Sequence, residues 1–145
     1  MPNITGHFTG KCVVQTNCSL HDTPDHEMSL MEVRGPQSTS DNNWKDATVN
    51  YWVVNDVTRG NGTQRGYFVN EHPNGDRDCG SFEGKMATSA NGQSTMEGMW
   101  KYTHGTGMFS GISGGGKFNG RLTSPTEVDM SWEGNYQLAA GIRAA

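Results

Sequence analysis

Between Thr95 and Tyr136 the large apolar residues fall at every second position, with glycines set among them, a pattern that fits strands and not helices. One run places Met96, Gly98, Trp100, Tyr102 and His104 on one face and Thr95, Glu97, Met99, Lys101 and Thr103 on the other. A second run sets Val128, Met130, Trp132, Gly134 and Tyr136 against Glu127, Asp129, Ser131, Glu133 and Asn135. Successive side chains of a strand point to opposite faces, so each run offers one aromatic face and one polar face. A glycine within such a strand marks a bend or a close backbone approach, as the wall of a tightly coiled barrel requires. The apolar–Glu–Gly triplet recurs at Phe82-Glu83-Gly84, Met96-Glu97-Gly98 and Trp132-Glu133-Gly134.

Asn-Gly pairs stand at 61–62, 74–75, 91–92 and 119–120. Asn-Gly is the preferred type I′ hairpin turn, because both residues tolerate positive φ. The first three pairs divide strand-like runs, Ala47–Val57, Gly66–His72, Asp78–Ala87 and Thr95–His104, into a meander. Ahead of it, Ile4–Gln15 and Glu27–Val33 read as strands and Gly35–Lys45 as a polar loop, the segment expected to move most. Beyond it, Met108–Ile112, Lys117–Leu122 and Glu127–Leu138 read as further strands. About eight strands in 145 residues, with no 3.6-residue periodicity, predict an all-β fold: a single-domain antiparallel meander barrel in preference to a sandwich. A closed barrel has the further merit of leaving no sheet edge.

Composition agrees and narrows the function classes. Leu, Ile, Val and Phe total only 21 of 145 residues, yet the net charge is only −4, so the chain is not of the disordered type. Four Trp, four Tyr and eight Met supply much of the apolar volume. Lys and Arg are scattered, which argues against a nucleic-acid partner. No apolar stretch approaches the ~20 residues of a membrane-spanning helix. No signal peptide is recognisable, so a cytoplasmic location is expected, or a periplasmic or secreted one if a leader has been removed. Cys12, Cys18 and Cys79 lack CxxC spacing and read as buried or free thiols, with one disulfide plus a free thiol as the alternative.

The segments GNGTQRGYF (60–68), MEGMWKYTHGTGMFSGISGGGKFNG (96–120) and SWEGNY (131–136) resemble those of small bacterial barrel proteins of the allene-oxide-cyclase-like, calycin-type group. The resemblance covers residues 47–137 well and the N-terminal third loosely. It implies a ligand held in the barrel lumen and a homo-oligomer, a dimer or trimer. Characterised relatives are cyclases and isomerases of hydrophobic small molecules, or dirigent proteins that steer a coupling without performing it. No catalytic signature carries over residue by residue.

The candidate chemistry divides by segment. The glycines at 105, 107, 111 and 114–116 lie between strands, with no helix N-terminus to complete a phosphate site, so they read as structural turns. His21-Asp22-Thr23-Pro24-Asp25-His26-Glu27 is the densest titratable cluster. It reads as a solvated loop, a metal site or, through His26, an acid–base group, and no third metal ligand has recognisable spacing. In Gly66–His72, Tyr67, Val69 and Glu71 share one face and Phe68, Asn70 and His72 the other. Tyr67 and Glu71 together suit proton transfer to a carbonyl compound; a packed Tyr beside a rim Glu is the plainer reading. His104 ends an aromatic face beside the glycine turn, where it either contacts a ligand or satisfies the turn. Trp52, Trp100, Tyr102, Trp132 and Tyr136 either line a cavity or fill it.

The expected function is a cofactor-independent isomerase, cyclase or lyase acting on a hydrophobic or aromatic small molecule in the lumen. His26 or His104 would exchange protons, and Tyr67 and Glu71 would polarise the substrate. The alternative is a non-catalytic binding or dirigent-type barrel. The two part on whether an acid–base pair faces the lumen.

Overall fold

The computed structural model describes residues 2–139. Eight antiparallel strands close into a barrel in chain order, with β8 returning to pair with β1. They are β1 (Asn3–Ser19), β2 (His26–Thr39), β3 (Thr48–Thr58), β4 (Asn61–Glu71), β5 (Arg77–Thr88), β6 (Ser94–Gly105), β7 (Ser113–Ser124) and β8 (Glu127–Gln137). The all-β, eight-stranded meander barrel read from the alternation is the architecture found, and it is consistent with a calycin-like fold.

Parity decides what fills the barrel. Val49, Tyr51, Val53 and Asn55 of β3, Met96, Trp100 and Tyr102 of β6, and Val128, Met130 and Tyr136 of β8 are the buried members of their strands. The alternate positions carry Lys85, Glu97, Lys101, Lys117 and Glu133 on the outer wall, all exposed. Aromatic rings cross the interior edge to face, as their quadrupoles prefer: Phe82 on Tyr51 at 5.6 Å, Phe82 on Phe118 at 5.6 Å, and Trp100 on Trp132 at 5.3 Å.

These rings fit because glycines stand opposite them. Gly66 pairs with Phe82, Phe68 with Gly80, Gly98 with Phe118 and Gly6 with Trp132 across adjacent strands. A Cβ at Gly6 would lie 2.1 to 2.5 Å from atoms of the Trp132 indole, and one at Gly98 would lie 2.7 Å from Cζ of Phe118. Small and large residues therefore alternate around the wall, the arrangement by which a small barrel fills its interior.

The hairpin turns depart from expectation in instructive ways. The β3–β4 turn is built by Arg59 and Gly60, both at positive φ, so Asn61-Gly62 lies within β4. At Pro73-Asn74-Gly75 and Ala90-Asn91-Gly92 only the glycine has positive φ, and its N–H donates to a carbonyl three residues back, His72 or Ser89. These are type I turns closed by a left-handed glycine, not type I′ turns. Asn119-Gly120 lies inside β7.

Two segments change class. Gly35–Thr39 extends β2, and the remainder of the supposed mobile loop folds into a 3-10 turn, Asn42–Trp44, whose Trp44 is 0% exposed. Met108–Ile112, read as a strand, instead straddles a second 3-10 turn, Gly107–Phe109, with Phe109 equally enclosed. The two turns have matching backbone bonds: Trp44 N–H to Asp41 O and Phe109 N–H to Thr106 O, then Ala47 to Trp44 O and Ile112 to Phe109 O. Trp44 and Phe109 meet at 5.1 Å and close one end of the barrel.

The Gly6→Ala substitution tests the complementarity between glycine and ring. The new methyl displaces the Trp132 indole, and such overpacking costs about 1–3 kcal/mol. Urea denaturation is expected to show that loss, with the m-value unchanged.

Candidate functional site

Below the Trp44–Phe109 plug lies a cavity of about 80 Å³, walled by rings and methionines from every strand but β2 and including Phe8, Tyr51, Phe82, Trp100, Phe118 and Trp132. Its polar lining is Gln37, Gln64 and Asn70. The volume is about half of the ~150 Å³ in which an engineered apolar cavity holds benzene. Met96 and Met130 border it as well, and their unbranched side chains are the parts of the wall best able to adjust.

At the plugged end the polar residues form one connected network. Asp78, on β5 and 0% exposed, accepts from His72 Nε2 at 2.6 Å, Asn70 Nδ2 at 2.8 Å and Trp44 Nε1 at 3.1 Å. Asn70 Oδ1 accepts from Gln37 Nε2 at 2.6 Å, and Gln37 Oε1 accepts from Trp132 Nε1 at 2.7 Å. The sense of this chain is fixed chemically. Indole N–H only donates and carboxylate only accepts, so both intervening amides must present oxygen toward Trp132 and nitrogen toward Asp78. His72 also stacks on Phe109, with centroids 4.3 Å apart, which ties the network to the plug.

Two cavity-lining phenols stand apart from the network. Tyr51 and Tyr102 are 9% and 7% exposed, and neither hydroxyl has a hydrogen-bond partner among the described residues. Burial pushes both well above the usual tyrosine range, and for Tyr102 the nearby Asp78 charge adds to it, so both stay protonated. Tyr136 differs: its hydroxyl donates to Asp41 Oδ2 at 2.5 Å, and its ring packs edge-on against Trp44 at 4.9 Å.

The four residues expected to supply acid–base chemistry lie on the outer surface. Tyr67 is 67% exposed and Glu71 is exposed, because Gln64, Gly66, Phe68 and Asn70 claim the inner face of β4 and the alternate positions must point out. Tyr67 pairs instead with Trp52, itself on the outward, half-buried face of β3. His104 follows the aromatic face of β6 only as far as a β-bulge. Gly80 opposes Tyr102 but Cys79 opposes His104, so the extra residue carries His104 outward, where its Nδ1 meets the Thr103 hydroxyl at 2.9 Å. His26 shares the outward face of β2 with Met28, Leu30 and Glu32, since Met31, Val33 and Gln37 take the inner one.

His26 does occupy a defined place there. Its Nδ1 lies 2.7 Å from Asp22 and its Nε2 2.6 Å from Asp56, so both nitrogens can be satisfied only when the ring is doubly protonated. The hydrogen bond to Asp56, then that to Asp22, holds its pKa above the ordinary 6.5, and the same bond holds Asp22 below 3.8. It clamps the β1–β2 loop to β3.

Of the five aromatic residues expected to meet a ligand, Trp100, Tyr102 and Trp132 border the cavity. Tyr136 belongs to the plug and Trp52 to the outer wall. The residues that went unrecognised are Trp44, Gln37, Tyr51, Gln64 and Asp78. Asn70 and His72 carried a usable signal, since both share the period-two face of Phe68. The three cysteines are free, and burial pushes the Cys79 thiol above its ordinary value. No helix among the described residues is long and apolar enough to cross a membrane. No protein-family model matches the chain, and no curated protein compared with it is significantly similar.

The Asp78→Ala variant leaves three buried donors facing an empty acceptor. Breaking such a buried set costs about 3–5 kcal/mol, to be read as a lowered denaturation midpoint. His26→Ala gives a pH-dependent result. A raised histidine pKa contributes stability below the unfolded value and loses it as pH rises through the folded one; a lowered carboxylate pKa contributes above its unfolded value. The Tm deficit of the variant is therefore expected to be level between 3.8 and 6.5 and to shrink at higher pH. Calorimetry across that range checks it.

Proposed function

We propose that the protein is a small-molecule-binding barrel that takes one compact, planar, mostly apolar guest into its lumen, with Met96 and Met130 moving aside to make room for it. The observation that carries this reading is the cavity itself: a space walled by edge-on rings with three amide side chains at its margin. Ligand sites are typically of this kind, apolar enclosures with a few placed polar groups. Offset and edge-on aromatic walls suit a flat guest better than a branched aliphatic one.

Binding is preferred over isomerase, cyclase or lyase chemistry because of what borders the cavity. Gln37, Gln64 and Asn70 are amides and transfer no protons near neutral pH. The His72–Asp78 pair lies behind Asn70, committed to the plug network, and does not line the space. His26, Tyr67, Glu71 and His104 point away from the lumen. An affinity with the allene-oxide-cyclase-like group is part of the same proposal, resting on the MEGMWKY, GTGMFSGISG and SWEGNY motifs.

Differential scanning fluorimetry with toluene, α-methylstyrene and cyclohexane tests it. A guest present at about 100 times its Kd stabilises the fold by about 2.7 kcal/mol, and the aromatic rings are expected to raise Tm more than cyclohexane. Val49→Phe, which fills the cavity from β3, is expected to abolish the shift while leaving the fold intact. No shift with any ring compound would overturn the reading, and consumption of a guest during incubation would restore the catalytic one.

A further inference from the structure

The cavity holds an asymmetry that apolar enclosure alone does not explain. At the end nearest the plug its polar atoms are donors. The chain from Trp132 through Gln37 and Asn70 to Asp78 uses one amide proton of Gln37 and one of Asn70. Each of those NH2 groups has a second proton. Tyr102 adds its hydroxyl on the same side, close enough to Asp78 to feel its charge, and that hydroxyl has no hydrogen-bond partner among the described residues. Tyr51 is a second unpartnered phenol on the cavity wall. The acceptors of the network are already occupied, both oxygens of Asp78 and the amide oxygens of Gln37 and Asn70.

We infer that the lumen selects a neutral aromatic guest bearing a carbonyl oxygen, seated against the Tyr102 hydroxyl and the free amide protons of Gln37 and Asn70. The inference rests on the ligand-binding reading above and names the class of guest. A carbonyl brings two lone pairs and no donor, which suits a margin where Tyr102, Gln37 and Asn70 all have a proton to give. No Lys or Arg borders the cavity, so a carboxylate guest would be buried without a counter-charge. The phenols stay protonated and can serve as donors across the physiological range.

Three probes of matched shape separate the possibilities: acetophenone, its isostere α-methylstyrene in which CH2 replaces the oxygen, and benzoate. Affinities are read by isothermal titration calorimetry. Acetophenone is expected to bind about tenfold or more tightly than α-methylstyrene, the discrimination a site with buried donors gives against an analogue lacking the acceptor. Benzoate is expected to be weaker than acetophenone by a similar factor. Tyr102→Phe is expected to cut acetophenone affinity by about tenfold while leaving α-methylstyrene unaffected, and Tyr51→Phe to have a smaller effect in the same sense. Because each change removes an unpaired hydroxyl and keeps the ring, ligand-free Tm is expected to stay level or rise.

Equal binding of acetophenone and α-methylstyrene would overturn this inference and leave the ligand-binding reading standing. A carbonyl preference that survives both Tyr→Phe changes would overturn the assignment of the hydroxyls, as would a preference for benzoate. Binding of none of the three would remove the ligand-binding reading and this inference with it.

Discussion

A barrel this narrow closes only if its interior side chains can pass one another, and the pairing of glycine with an aromatic ring across neighbouring strands is what allows it. Gly66 faces Phe82, Gly80 faces Phe68, Gly98 faces Phe118 and Gly6 faces Trp132. Each ring lies over a wall position with no Cβ, so the rings can cross the lumen edge to face instead of standing upright and colliding. This explains how a chain with few aliphatic residues has a core at all. The apolar area comes from rings and methionines, and the glycines are the space those rings occupy. The cavity is what remains when the pairing leaves a gap between Trp100, Trp132 and Tyr51.

The second constraint is the carboxylate of Asp78. A fully buried acid demands a full set of donors, and it draws them from Trp44 in the first 3-10 turn and from Asn70 and His72 at the end of β4. It thereby fastens the plug to the wall and fixes the direction in which Asn70 and Gln37 present their amides. Plug, carboxylate and lumen margin act as one unit: the stacking of His72 on Phe109 and the indole hydrogen bond of Trp44 tie the matched 3-10 turns to the same acid. A residue that does not border the cavity thus sets the polarity of residues that do.

The sequence made the wall legible and the ends obscure, for a physical reason. Period-two alternation survives wherever a strand has one wet and one buried face, so β6 and β8 could be read residue by residue from Met96 to Tyr102 and from Val128 to Tyr136. It gives no absolute direction. On β2 the Met28–Leu30 face looked more apolar than that of Ser29 and Met31, yet the downstream residues Val33 and Gln37 set the inner face by parity. One bulge near Cys79 was enough to turn His104 outward. The plug was invisible because Trp44 sits in a run of Asp, Asn, Lys and Ser, where composition suggests a solvated loop. Its burial comes from a tertiary contact with Phe109, far away in the chain. Asp78 was hidden likewise, since nothing local distinguishes a buried acid from an exposed one at a strand start.

The resulting division of chemistry bears on what such a barrel can do. Charged side chains are confined to the outer wall and to one sealed pair, while hydrogen-bonding amides and phenols face the lumen. With amides and protonated phenols at its wall, a lumen of this kind would discriminate between guests by shape and by matching of donors to acceptors more than by Coulomb attraction. Matching of that kind penalises the wrong guest more than it rewards the right one, since a mismatched guest leaves buried donors unpaired. On the proposed reading, selectivity in this lumen would follow from the unpaired phenol of Tyr102 and the directed amides of Gln37 and Asn70. His26, which stands out in the sequence, ties the β1–β2 loop to β3, and the plug is held by His72 and Asp78.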